Sequence, residues 1–555
     1  MAMPDYEPNQ KWPPAPYDQS NHDIEVWRAW WAGDVEKLTE HYSTAVIHTR
    51  PGNAQLLGEG RDRYFWGRSN EQGANRRHVP MPAAVTSAVA DLLFSKPPRI
   101  TPGPDDEKNK ELAARMDKIF GAKSYAATLS EAAELQSYSG SIFLRPWWDS
   151  SLTDHVVPSH VPADRAVPEF RHSYLTAVTF WNIVSTPDET PIIRHLERHE
   201  PGKIIHRLYE GTQDTLGERI DLSEHPATAW LTEEESGATK DGVVHTGLDE
   251  IDVVHIPNVL PARRWHGING LSQLGRSDFE GIESSFDELD ETWSSWLRDV
   301  EDGKSRLFIE EDALIDLGPG RGGAFDQERH LYTKTQAPLG TAADSGGQQI
   351  DQIKFDIRYQ EHAETMAEVR AHIMEHVGLS QRFFNDNLLS PGITATQVNS
   401  ENAKSESTRA KRINFWNDGL TRFVQIVMKL DAIHFDTGLT LTDPPEVHFA
   451  ANLVETEGER MQSAGMAVSQ KVLSRRRAVE RINPDWTKQQ IDDELEEINN
   501  DAIQDAKLMF GQGLAPEDAA EANEGMEQIE DALQLEEPEQ KEPPADDLAA
   551  GWQED

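Results

Sequence analysis

At 555 residues, with 53 Lys and Arg against 97 Asp and Glu and a formal net charge of −44, the chain can fill about two to four packed modules, and its charge disfavours tight, sequence-independent wrapping of DNA without excluding DNA that slides past. Its lack of cysteine excludes disulfide staples and thiolate metal sites. No basic and then apolar leader opens the sequence, and the longest mostly apolar run, 83–94, falls short of the roughly 18 residues that span a bilayer, so the chain is expected to be soluble and made in the cytoplasm.

Residues 1–20 are Pro-rich and polar and read as a flexible arm. Helical patterns follow over 23–42 and 83–95, the second stopped by Lys96-Pro97-Pro98, and then over 105–120 and 124–139 with Gly121 between them. From Ser141 to about residue 260 the pattern becomes short β-rich runs separated by Pro, Gly and Asp, which predicts an antiparallel meander. Leu274, Phe279, Ile282, Phe286, Leu289, Trp293, Trp296 and Leu297 then recur mostly every three or four residues and predict one helix over 272–300, about 42 Å long. A Gly-rich insert at 303–355 carries the β runs RLFIEE and HLYTKT; helices are predicted at 357–377 and 397–430, joined by a Pro/Gly-punctuated loop. Beyond a short β run at 446–450, helices break at Asn483-Pro484. From Ile491 the chain has 22 Asp and Glu against two Lys, and the end from about Gly511 reads as a disordered acidic tail.

Three motifs touch known chemistries without completing them. Residues 270–277, GLSQLGRS, are one substitution from a phosphate-binding loop, but Arg276 stands where lysine must reach the phosphates and no strand directly precedes Gly270. Gly318, Gly320 and Gly323 have dinucleotide-loop spacing, yet a β pattern rather than a helix follows. His372, Glu375 and His376 form an HxxEH pattern that could place two zinc ligands on one helix face, with no third ligand in view. No GxSxG elbow is present, so no catalytic residue, metal or cofactor is assigned. Lys404, Arg409, Lys411 and Arg412 cluster on the last long helix, as intersubunit ion-pair partners or DNA contacts. The 15 tryptophans are read mainly as core or interface anchors.

Several stretches in this order resemble the portal proteins of tailed bacteriophages, in the siphovirus-type branch of actinobacterial phages. They are VPMPAAVTSAVADLLFSKPPRI (79–100), GSIFLRPWWD (140–149), VPADRAVPEF with YLTAVTFW (161–181), VVHIPN leading to GINGLSQLGRSDFEGIESSFDELDETWSSWLRDV (253–300), the run from EHVGLSQRFF to AKRINFW (375–416), and VLSRRRAVERINPDWTKQQIDDELEEI (472–498). The resemblance implies an α+β portal fold. Its parts are a wing at 21–271, stem helices at 272–300 and 357–378, a small α/β clip at 301–356 and a tunnel loop at 379–396. A long helix and wing return follow at 397–450, then crown helices at 451–510, with the tail at 511–555. It further implies a non-enzymatic ring of about a dozen copies in the virion, at the capsid vertex, passing double-stranded DNA during packaging and ejection. Terminase, head-completion or adaptor proteins, and the major capsid and scaffold proteins are the implied partners, with no membrane. Asn387, Leu388, Leu389, Ser390, Pro391, Gly392 and Thr394 are then the DNA-facing loop residues. The competing readings are a terminase-like packaging ATPase and another acidic virion head protein.

Overall fold

The computed structural model describes residues 6–7, 9–44, 64–68, 76–103, 107–186, 190–232, 238–303, 357–380, 395–449 and 457–500 apart from 471, 484–485, 487–489 and 499, together with the backbone of short strands between 306 and 353. The chain divides into one unit over 1–450 and a second over 451–555.

The first unit opens with helices α1 (Tyr17–Ala32) and α2 (Val35–Thr44). The single helix expected over 23–42 is therefore two, because Gly33 takes a left-handed conformation (φ 66) and caps α1. Ser20, Ile24, Trp27 and Trp30 recur every three or four residues and are buried on one face of α1. The segment before α1 is packed rather than free. Trp12 is 4% exposed in a cluster with Val167, Trp181, Leu196, Ile205, Tyr209 and Leu216, and Tyr6 and Tyr17 pack on it. The expectation of a flexible arm is thus corrected for the described residues from Tyr6 to Ser20, where three aromatic side chains outweigh the polar, proline-rich context.

Helices α3 (Met81–Phe94), α4 (Glu107–Phe120) and α5 (Lys123–Ser139) match the predicted positions to within two residues. Between α3 and α4 lies β1 (Arg99–Thr101), which pairs with β16 (Glu446–His448) from the far end of the unit. After α5 come β2 (Ser141–Trp147), β3 (Val157–Pro162), β4 (Ala166–Arg171), β5 (Tyr174–Ile183), β6 (Ile192–Glu200), β7 (Lys203–Gly211) and β8 (Glu218–Ile220). The short helix α6 (Pro226–Ala229), β9 (Val243–His245) and β10 (Val254–Pro257) complete this region. β4 to β8 form an antiparallel meander in chain order, with β9 also on β7, and a second sheet runs β10-β2-β3.

Helix α7 (Glu283–Asp302) has 20 residues and is about 30 Å long, not the 42 Å expected. Residues 272–282 form turns instead, although Leu274, Phe279 and Ile282 are as buried as the helical pattern requires. Next come β11 (Arg306–Glu310), β12 (Ile315–Asp316), β13 (Gly323–Ala324), β14 (Tyr332–Thr335) and β15 (Ile350–Ile353). They make a small sheet in the order β14-β11-β15, parallel on one side of β11 and antiparallel on the other, plus the β12–β13 pair. Helix α8 (Tyr359–Val377) returns antiparallel to α7: Asp299 near the end of α7 holds Arg358 and His362, while Ser285 near its start meets His372. Helix α9 (Ala395–His434) has 40 residues, about 60 Å.

The second unit holds α10 (Glu457–Ser469) and α11 (Arg475–Ile482), the latter N-capped by Ser474, whose Oγ accepts the Arg477 amide at 3.3 Å. Ala464, Ala478, Val479 and Ile491 supply its buried apolar contacts, and α11 ends where Asn483-Pro484 was expected to break the helix. No described helix is long and apolar enough to cross a membrane.

Candidate functional site: the helix pair and its anchors

Helices α7 and α8 form an antiparallel pair, with a strand module between its two members in sequence. Asp287, Asp290, Glu291 and Ser294 lie at helical spacings of three and four on α7, so they share one face. Residues 65–68 and 76–79 clasp that face. Asp287 accepts the Phe65 and Trp66 amides at 2.6 and 3.4 Å; Asp290 accepts Trp66 Nε1 at 3.0 Å and the Val79 amide at 2.7 Å and meets His78 Nδ1 at 2.8 Å. Ser294 Oγ takes the Arg77 amide at 2.9 Å, and Arg68 forks onto Glu291. Burial pushes the Asp287 carboxyl up to about 6, against the two amides that favour its ionised form. This acidic stripe is an internal anchor rather than a surface presented to solvent.

At the strand-module end, Asp299 takes Arg358 at 2.9 and 3.1 Å and His362 at 3.0 Å, and the His362 ring stacks on Trp296 with planes 9° apart. Hydrogen bonds from His362 and Arg358 hold the Asp299 carboxyl below the usual carboxylate range.

The sequence placed four cations on α9 as contacts for partners. Three of them bond within the subunit, two of these from buried positions. Arg412, 2% exposed, donates to Asn258 Oδ1 at 2.7 Å and in bidentate fashion to Asp278 at 2.8 and 3.0 Å. Asp278 also accepts Ser137 Oγ at 2.6 Å, and Asn258 Nδ2 donates to the Arg276 carbonyl. One turn along, Trp416 Nε1 donates to Gln136, whose amide donates to the Ile256 carbonyl. The hub fastens α9 to α5, to β10 and to the turn that leads into α7. Arg409, 5% exposed, donates Nε to the Leu92 carbonyl at 2.9 Å. Lys404 and Lys411 are exposed, and Lys404 donates to Glu375 at 3.4 Å. The loop residues Asn387, Leu388, Leu389, Ser390, Pro391, Gly392 and Thr394 lie outside the described residues, as does the acidic tail from 511.

The phosphate-loop resemblance has a packing explanation. Gly275 passes Gly140 so closely that a Cβ on it would stand 2.1 Å from the Gly140 carbonyl oxygen and 2.6 Å from the Asn258 nitrogen. Turns follow it, with α7 starting only at Glu283, so no helix N-terminus receives a phosphate there. Gly275→Ala is accordingly expected to cost about 2 kcal/mol or more through backbone displacement; an unchanged thermal melt would show that the crossing is loose. Of the dinucleotide-type glycines, Gly318 and Gly320 lie outside the described residues and Gly323 is in β13. In the HxxEH pattern, His372 meets Ser285 Oγ at 3.2 Å, and no group of three or more His, Asp and Glu among the described residues has metal-binding geometry.

Sequence reasoning missed a buried histidine network in the meander. His199, fully buried, lies 2.9 Å from both Asp252 oxygens and 2.8 Å from Glu197, which also pairs with Arg145. His195 meets His206 at 3.2 Å. The alternation His195, Glu197, His199 along β6 put these groups on one face, but sequence alone did not say that the face was covered.

Residues 61–506 match the family described as phage portal protein, SPP1 Gp6-like. The chain belongs to that family. It is a phage portal protein, and its mix of helices and sheets is consistent with the α+β class expected from the sequence. Solved structures similar to this portal include the neck of a native gene transfer agent particle computed with C12 symmetry, at 13% identity over 73% of this chain and 89% of that one, with a TM-score of 0.35. The neck of an empty particle, computed with C6 symmetry, shows 11% identity over 78% and 99%, with a TM-score of 0.40. The virion of a native particle shows 13% over 73% and 90%, with a TM-score of 0.36. No curated protein matches the portal chain.

Proposed function

We propose that this portal chain assembles into a closed ring of about a dozen copies whose α7–α8 pairs surround a DNA channel, and that it is a structural channel and docking platform rather than an enzyme. The observation that carries the reading is the family match over 61–506, which spans the antiparallel helix pair and the strand module set between its helices. A head-to-tail interface that repeats by a rotation dividing a full turn closes into such a ring. Val300, Ile357 and Tyr359, 41%, 39% and 64% exposed where the pair meets the strand module, supply apolar surface that a neighbour would cover. The formal charge of −44 suits a passage through which a polyanion slides without being held.

In this reading residues 21–271 form the wing, 301–356 the clip that terminase and later head-completion proteins contact, 379–396 a tunnel loop, 397–450 the long helix and wing return, and 451–510 the crown. The ring sits at one vertex of the virion capsid, is assembled in the host cytoplasm beside capsid and scaffold proteins, and passes double-stranded DNA driven by a motor outside this chain. Leu388 and Leu389 give the loop an uncharged tip, and α9 begins directly after it, so the hub at Arg412 holds the loop's support. Leu389→Asp is expected to lower DNA packaged or retained per particle while ring formation stays at the wild-type level. Loss of assembly together with DNA would remove the loop from the channel.

A further inference from the structure

The chain leaves α8 through a clasp on α9. Gly378 takes a left-handed conformation (φ 80) and ends α8, and the Leu379 amide donates back to the Met374 carbonyl at 3.0 Å. Two α9 hydroxyls, one turn apart, hold the backbone groups at this exit. Thr408 Oγ1 donates to the Gly378 carbonyl at 2.9 Å, and Ser405 Oγ accepts the Ser380 amide at 2.7 Å. Leu379, Ser380 and Ser405 are buried, so the exit is fixed away from water. On the same stretch of α9, Arg409 bonds the Leu92 carbonyl and Arg412 bonds Asp278, which ties this part of the helix to the body of the subunit. Helix α9 itself starts at Ala395, ten residues before Ser405 and about 15 Å away along its axis. The 14 residues between Ser380 and Ala395 reach at most about 50 Å. The segment read as the tunnel loop thus departs from a point pinned to α9 and returns into the start of that same helix.

We propose that Ser405 and Thr408 are positioning residues for DNA passage. With both hydroxyls bonded, the two ends of the loop segment are referred to one rigid helix, and the loop is presented to DNA from a fixed base. The inference deepens the reading of 379–396 as the DNA-facing loop and rests on it. Ser405 is buried and Thr408 half-buried, so both act through the backbone of 378–380 rather than by touching DNA. Apolar side chains of similar size would fill the same space. What the hydroxyls add is a donor and an acceptor that fix the exit of α8 in one register against α9.

The test reads two quantities for each full-length variant, the fraction of chain in rings and the DNA packaged per particle. The double variant Ser405→Ala/Thr408→Val is expected to form rings at the wild-type level and to lower DNA per particle about five-fold or more, because one net hydrogen bond shifts a two-position equilibrium by about that factor. Thr408→Ser keeps the donor and is expected to package as the wild type does. Wild-type packaging by the double variant would overturn the proposal. So would a fall in DNA matched by an equal fall in rings, or a Thr408→Ser variant as impaired as the double one, since either outcome makes the clasp a packing contact only. Leu389→Asp, measured alongside, separates this failure from failure of the loop reading. If it lowers DNA and the double variant does not, only the clasp proposal falls; if it packages normally, the loop reading falls and the proposal with it.

Discussion

Arg412→Ala is expected to lower the unfolding free energy of the portal subunit by about 3–5 kcal/mol, because it strands a buried carboxylate. Asp278 is 5% exposed, and with the guanidinium gone only the Ser137 hydroxyl remains as a side-chain donor to it, while Asn258 Oδ1 loses its donor as well. Arg412→Lys is expected to recover only part of the loss, since an ammonium has no planar fork to meet both Asp278 oxygens. Denaturant unfolding of the two variants measures this directly. A wild-type midpoint for Arg412→Ala would mean that the hub contributes nothing to holding α9. Because α9 carries the support of the proposed tunnel loop, a partial loss in Arg412→Lys should also emerge as lower DNA retention in rings that still form.

The second large effect concerns pH. His199 is fully buried, which opposes its charging, yet the Asp252 carboxylate and the hydrogen bonds that the ring donates to Asp252 and Glu197 prevail and raise its pKa to about 9. A group raised in the folded state contributes stability below its unfolded value, near 6.5, and loses it as pH rises through its folded value. Stability from His199 is therefore present in full below about pH 6.5 and declines by about 3 kcal/mol up to about pH 9. His206 and His255 act on the other side: burial depresses both to about 3, so their contribution is present above about 6.5 and is lost as pH falls. The two sheets that hold these histidines should be most stable close to neutrality. His199→Gln is expected to flatten the alkaline limb between about pH 7 and 9 and to destabilise the subunit throughout, by leaving Asp252 and Glu197 without a cation between them. An alkaline limb that is unchanged in this variant would show that His199 is neutral in the fold.

Much of the architecture was legible because periodicity is a local property. The meander, α8, α9 and the strands β11 and β14 stand where alternation and three-to-four spacing put them. The start of α7 was not legible in the same way. Leu274, Phe279 and Ile282 are spaced as on a helix and are buried, but turns bury them, and the glycines at 270 and 281, both with positive φ, were the local sign that the helix had not begun. The basic cluster on α9 shows the limit of counting charges. Ser405, Arg409, Arg412, Trp416, Leu420 and Phe423 recur at three and four and are all buried, so the spacing already placed Arg409 and Arg412 on the core face. What no spacing could reveal is the distant partner: Asp278 is 134 residues from Arg412, and Asp252 is 53 from His199. The same holds for Trp12, whose pocket is assembled by β4 to β7.

Single-particle electron microscopy of the purified full-length chain tests the channel most directly. Rings with one open central lumen wide enough for B-form DNA are expected, with the density of α7 and α8 repeated around that lumen. Particles in which the two helices pack inside a closed monomer, or an oligomer without a central passage, would contradict it.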